Sequence, residues 1–129
     1  MNKLNSARLR RDYPEIFAPR RGERTPFGLF GFECGDGWYE LLDRLCRDIV
    51  EICRRQHVPI PAVAQVKEKF GGLRFYLEGG APEAVHERIE EAEEESTRIC
   101  ERCGEPGELK AGDSGYWQTL CGRCRERGR

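Results

Sequence analysis

The sequence predicts an α+β fold in which a long helix packs on a small antiparallel sheet, and a second helix leads into a C-terminal zinc-ribbon-like module. Three observations predict it. Trp38, Leu41, Leu42, Leu45, Ile49, Ile52 and Cys53 recur at helical spacing. Two strand-like runs, 65–70 and 73–78, are joined by Gly71 and Gly72. Cys100, Cys103, Cys121 and Cys124 stand in two C-x-x-C pairs near the C-terminal end.

A chain of 129 residues is the size of one domain, or of one core with a small appendage. It divides into a basic N-terminal arm (1–26), an α+β core (27–99) and the cysteine module (100–129). Apolar residues make up 38% and charged residues 35%, which is lean for a core and calls for an external staple. No apolar run is long enough to span a bilayer, and no apolar stretch follows the cations of residues 1–24, so neither a membrane span nor a signal peptide is expected. Seven cysteines is an odd number, and the C-x-x-C spacing points to metal binding in a reducing, cytoplasmic compartment.

The net charge of −1 hides segregation. Residues 1–24 carry Lys3, Arg8, Arg10, Arg11, Arg20, Arg21 and Arg24; residues 83–95 are acidic almost throughout; the tail is basic again with Arg123, Arg125, Arg127 and Arg129. Such basic segments either meet phosphates or neutralise the acidic helix.

Along the chain, residues 3–12 suit a short helix that Pro14 interrupts, and Ile16 and Phe17 follow as an apolar anchor. Residues 19–26 read as an arginine-rich loop, and 27–32 as an extended aromatic and glycine stretch. Asp36 is placed to cap the long helix, whose apolar stripe runs about five turns before Pro59 and Pro61 end it. A turn at Gly71-Gly72 would pair Phe70 with Leu73, Glu68 with Phe75 and Val66 with Leu77 on a core face. Gln65, Lys67, Lys69, Arg74, Tyr76 and Glu78 then lie on the other face. Pro82 opens a second helix whose stripe (Val85, Ile89, Ala92, Ser96, Ile99) is thin, so that a partner, including a second copy of the chain, is one way to cover it.

The cysteine pairs carry the clearest chemistry. Seventeen residues separate Cys103 from Cys121, enough for a short hairpin, and two C-x-x-C knuckles complete a tetrahedron of thiolates around one structural zinc ion. Four sulfurs leave no position for a catalytic water. The residues after Cys124 are too few for a full treble-clef helix. Cys46 and Cys53 belong to the core face. Cys34, before a helix, is a nucleophile candidate without a spacing that ties it to His57 or His86. Glu68, on the apolar face, calls for an arginine partner such as Arg44 or Arg47. The polar hairpin face is the candidate ligand site: Lys67, Lys69 and Arg74 offer donors to phosphate, and Tyr76 and Trp38 offer stacking surfaces.

The series Gly31-Phe-Glu-Cys-Gly-Asp-Gly-Trp38, Gln65-Val-Lys-Glu-Lys-Phe-Gly71 with Leu73-Arg-Phe-Tyr76, Cys100-x-x-Cys103-Gly and Thr119-Leu-Cys-x-x-Cys124 resembles a family of small, largely uncharacterised phage and prophage proteins. The resemblance spans about residues 27–124. It implies a mobile-element accessory protein in a bacterial host cell and brings no catalytic residues. The expectation is a non-enzymatic protein that occupies a host or phage macromolecule, a protein partner first, in the manner of a counter-defence inhibitor. Two alternatives stand beside it: sequestration of a small phosphorylated or nucleotide ligand at the hairpin face, and nucleic-acid binding through the basic arm and tail.

Overall fold

The computed structural model describes residues 1–18 and 24–127. Arg20 and Arg21 of the expected arginine-rich loop, and Arg129 of the tail, lie outside the described residues.

The apolar stripe of the centre of the sequence forms α4 (Tyr39–Arg55), entered through one 3-10 turn at Asp36–Trp38. Leu41, Leu42, Leu45, Cys46, Ile49 and Cys53 are all buried along it. The helix ends where His57 adopts φ 55° and the Val58 N–H reaches back to the Cys53 carbonyl at 3.0 Å, a left-handed C-terminal cap ahead of Pro59. Asp36 does not cap this helix. The 3-10 turn takes the cap position, and the Asp36 carboxylate instead accepts from the Asn2 N–H at 2.8 Å and the Asn5 side-chain amide at 3.1 Å. It thereby anchors the start of α1 (Lys3–Asp12), which Asn2 itself caps.

Within the expected N-terminal arm (1–26), the described residues 1–18 are not separate from the core. Leu9 of α1, and Ile16 and Phe17 of α2 (Pro14–Phe17), are buried in it. The stretch 27–32 is helical at first and not extended: Thr25 caps α3 (Pro26–Phe30), and only Phe32–Glu33 forms a strand, β1. The reason is local, since Thr25 accepts from the Gly28 N–H at 3.0 Å and Pro26 suits a first helical position. Phe27 and Phe32 then close an aromatic cluster with Phe17, with ring centroids 4.9–5.4 Å apart. The Arg10 guanidinium stacks on Phe27 at 4.6 Å, which spends one of the basic arm's cations on the core.

β2 (Val63–Lys69) and β3 (Gly72–Leu77) form the hairpin, and β1 adds to β2 in parallel, giving the order β1-β2-β3. The turn is Phe70-Gly71, one residue earlier than the glycine pair suggested, so that Val66 pairs with Phe75, Glu68 with Leu73 and Lys69 with Gly72. Every partner moves by two residues, which leaves the two faces unchanged. Val66, Leu73 and Phe75 are buried; Phe70, expected on the core face, is exposed. Its φ of 53°, followed by 85° at Gly71, is the conformation of a tight hairpin turn with both central residues left-handed. An L side chain held there costs about 1 kcal/mol. Phe70→Asn, which restores the preferred Asn-Gly turn, is therefore expected to raise stability by about 1 kcal/mol in urea unfolding; a loss instead would mean that the ring packs.

α5 (Glu83–Ser96) buries Val85, Ile89, Ala92 and Ser96. The stripe is thin but covered inside the chain, by α4 and by β3, so an uncovered stripe no longer argues for a second copy. Two of its side chains complete the outer edge of β3: Ser96 Oγ accepts from the Leu73 N–H at 2.9 Å, and the Glu93 carboxylate accepts from the Phe75 N–H at 3.0 Å. An edge strand is thus closed to further pairing at these two amides. Burial pushes the Glu93 carboxyl up from its ordinary pKa, and the Phe75 N–H pulls it back in part. Ion pairs Arg44–Glu95 and Arg88–Asp48, both at 2.7 Å, join α5 to α4. Among the described residues, α4 meets the acidic helix with Arg44, and α5's own Arg88 meets Asp48 of α4.

β4 (Glu108–Ala111) and β5 (Trp117–Leu120) form a second, two-stranded sheet, followed by α6 (Gly122–Arg127). Among the described residues no helix is long and apolar enough to cross a membrane.

Candidate metal centre

Each cysteine pair sits in a backbone turn that brings its sulfurs together. At the first, the Gly104 N–H donates to the Cys100 carbonyl at 2.9 Å, and the Cys100 N–H donates to the Glu105 carbonyl at 2.7 Å. Gly104 has φ 84°, which a side chain rarely tolerates. At the second, the Cys124 N–H donates to the Cys121 sulfur at 3.4 Å as the chain turns into α6. That helix is short, six residues, and it carries Cys124.

The ligand atoms of Cys100, Cys103, Cys121 and Cys124 all lie within 4.8 Å of one another. The sulfurs of Cys103 and Cys121 are 3.6 Å apart. A tetrahedron of thiolates with metal–sulfur bonds near 2.3 Å has edges of about 3.8 Å, so the four sulfurs fit one tetrahedral ion. Their electrostatics agree. Burial opposes ionisation of Cys100, but N–H groups of Cys121, Cys103 and Arg102 bring its thiol down to about 6. Cys124 is held up at about 12, first by its hydrogen bond to Cys121 and then by burial. Four sulfurs at this spacing cannot all ionise unaided; a cation among them removes the conflict. Cys103 is exposed and Cys100 and Cys124 are buried, which gives the centre one open side.

The module is fixed to the core by glycines. The Gly37 N–H donates to the Glu101 carbonyl at 2.7 Å, and the Gly35 N–H to the Glu101 carboxylate at 2.9 Å. A Cβ on Gly37 would stand 1.9 Å from the Cys100 carbonyl oxygen, and one on Gly35 2.3 Å from that of Glu101. The Gly-Asp-Gly stretch is therefore the seat of the first knuckle. At the hairpin tip a Cβ on Gly71 would meet Leu109 at 2.4 Å, and the Thr119 hydroxyl donates to the Gly71 carbonyl at 2.7 Å. Burial pushes the Glu101 carboxyl up, and the Gly35 N–H bond offsets part of that.

Trp38 belongs to this seat. It is fully buried and its indole N–H donates to the Ile99 carbonyl at 2.9 Å, so it does not reach the exposed hairpin face as a stacking surface. The other ligand candidates are on that face as expected, with the Arg74 guanidinium engaged within it. Lys67 pairs with Arg74 across the strands and lies beside Glu33 of β1. The Arg74 guanidinium donates to the Leu73 carbonyl at 2.9 Å and lowers the pKa of Glu93. Tyr76 and Lys69 are exposed. Among the described residues Glu68 has no arginine partner: Arg44 pairs with Glu95 and Arg47 with Asp43, while the Glu68 carboxylate accepts from the Gly71 N–H at 2.6 Å. Cys46 and Cys53 are buried in the core. Cys34 is also buried, and burial, then Glu101, pushes its thiol up to about 12, the reverse of an activated nucleophile.

These features define a class: an α+β protein carrying a four-cysteine, zinc-ribbon-like module that is compatible with one metal ion. No protein-family model, curated protein or solved structure matches the chain.

Proposed function

We propose that this chain is a non-enzymatic binding protein, stabilised by one structural zinc ion, that acts by occupying a protein partner in the setting of a phage or prophage. The observation that carries the reading is the closed set of four sulfurs pinned to the core through Gly35, Gly37 and Gly71. Four thiolates favour zinc and leave no coordination position for substrate, and a metal wedged against the core serves to fix a surface. The raised thiol of Cys34 supports the same reading. The phage setting, and with it a counter-defence role in a bacterial cytoplasm, comes from the sequence resemblance.

Affinity capture from a bacterial lysate with the full, metal-loaded chain tests this. The expected result is a retained protein that survives nuclease treatment and moderate salt. Retention that nuclease abolishes and that falls steeply with salt would replace it with nucleic-acid binding. A retained small phosphorylated molecule, lost in Lys67→Ala with Arg74→Ala, would replace it with ligand sequestration.

A further inference from the structure

Where the hairpin tip meets the β4–β5 loop there is a cleft of about 340 Å³ lined by Glu68, Phe70, Gly115, Tyr116 and Trp117. Its three aromatic residues are 69%, 56% and 46% exposed, whereas Phe17, Phe27, Phe32 and Phe75 are buried. They come from two distant segments of the chain. The Thr119–Gly71 hydrogen bond holds those segments together, and the Gly112 N–H to Tyr116 carbonyl bond at 3.0 Å shapes the loop. Phe70 occupies the cleft in a left-handed conformation that an asparagine or glycine would adopt more easily.

We propose that this cleft is an aromatic cage for a cationic side chain, an arginine or lysine, presented by the protein partner. The proposal rests on the binding-protein reading above and names the surface it uses. The charge in the cleft selects the occupant. Glu68 lines it, is fixed by its bond from the Gly71 N–H, and keeps further lone pairs to accept with. A nucleic acid stacked on these rings would bring phosphate to that carboxylate, and an apolar group would bury it unpaired. A cation satisfies the carboxylate and the ring faces together. The Phe70 ring already has a cation beside it, the Lys69 ammonium at 5.6 Å from its centroid.

The test is a two-dimensional ¹H–¹⁵N NMR titration of the metal-loaded full chain with N-acetylarginine methylamide, and with the citrulline analogue as its neutral isostere. The arginine probe should shift the Phe70 and Gly115 amides and the Trp117 indole signal, and leave the buried Trp38 indole unmoved. The citrulline probe, and the arginine probe on Glu68→Gln, should bind at least about threefold more weakly. Glutamine keeps an oxygen for the Gly71 N–H, so this variant should fold; an unshifted Trp38 indole signal checks it. Equal affinity for the two probes, no shift at all, or tighter binding of a thymidine oligonucleotide at the same signals would overturn the cage. Failure of the wider reading is distinguishable. A captured protein that Glu68→Gln and Trp117→Ala still retain would overturn the cage and leave partner binding standing. Arginine-selective shifts in a chain that captures no protein would uphold the cage and overturn partner binding.

Discussion

Stripping the metal from the full chain is expected to unfold residues 100–127 while the core of helices α1, α4 and α5 and the hairpin stays folded at reduced stability. The module has almost no core of its own: Cys100, Leu120 and Cys124 are buried together, with Cys121 packed against them. Ordering its backbone costs about 1–2 kcal/mol per residue, which so few apolar contacts do not offset. Structural zinc contributes about 10–16 kcal/mol of apparent binding free energy at neutral pH in isolated fingers, comparable to the whole stability of a small domain. The main cluster contains none of the metal ligands, so it has its own reason to persist. Hydrogen exchange measured before and after chelation, and in Cys103→Ser, should show protection lost in β4, β5 and α6 and kept in α4. The hairpin tip should loosen with the module, because the Gly71 carbonyl loses the Thr119 hydroxyl. Undiminished protection of β4 and β5 without metal would contradict this.

Gly37→Ala is expected to have the largest effect of any glycine-to-alanine change among the described residues. Its Cβ would stand 1.9 Å from the Cys100 carbonyl oxygen and 2.6 Å from the Glu101 carbonyl carbon, both backbone atoms that no rotamer change can move aside. Either the first knuckle lifts off the core or the 3-10 turn deforms, and in both cases the Trp38 indole loses the Ile99 carbonyl. Overpacking costs typically about 1–3 kcal/mol, and the rigidity of backbone against backbone places this substitution at or above the upper end. Gly80→Ala is the control: nothing lies within 4 Å of its Cβ position, and its effect should stay within about 0.5 kcal/mol. Thermal unfolding of both variants, with the Trp38 indole signal as a local reporter, separates the two. A Gly37→Ala chain as stable as the wild type would mean that the glycine seat does not hold the module.

The features legible in the sequence were those fixed by short-range periodicity. The α4 stripe, the faces of the hairpin, the thin α5 stripe and the knuckle spacing all follow from alternation or helical repeat, and the structure has them. What the sequence hid depends on contacts between distant segments. The turn fell at Phe70-Gly71 because Gly71 has to fit against Leu109 and Gln118 of the module, and because Glu68 caps its N–H. Glu68 thereby found its partner in a backbone N–H and not in Arg44 or Arg47. Trp38 read as an available ring, yet the carbonyl that fixes it belongs to Ile99, beyond the far end of α5. The role of Gly35 and Gly37 has no local signature, since the backbone they admit is that of Cys100 and Glu101. Only α3 was within reach: Thr25 followed by Pro26 is a helix-start pattern. The cleft at Phe70, Tyr116 and Trp117 exists only once the module is docked.

On the proposed reading, Cys100, Cys103, Cys121 and Cys124 hold one zinc ion that builds the C-terminal module onto the core. Native mass spectrometry of the chain, purified without chelators and compared with Cys103→Ser, tests it most directly. The expected result is one zinc per wild-type chain and none retained by the variant. A wild-type chain that is free of metal, with a protected Trp38 indole and an ordered β4–β5 sheet, would contradict it.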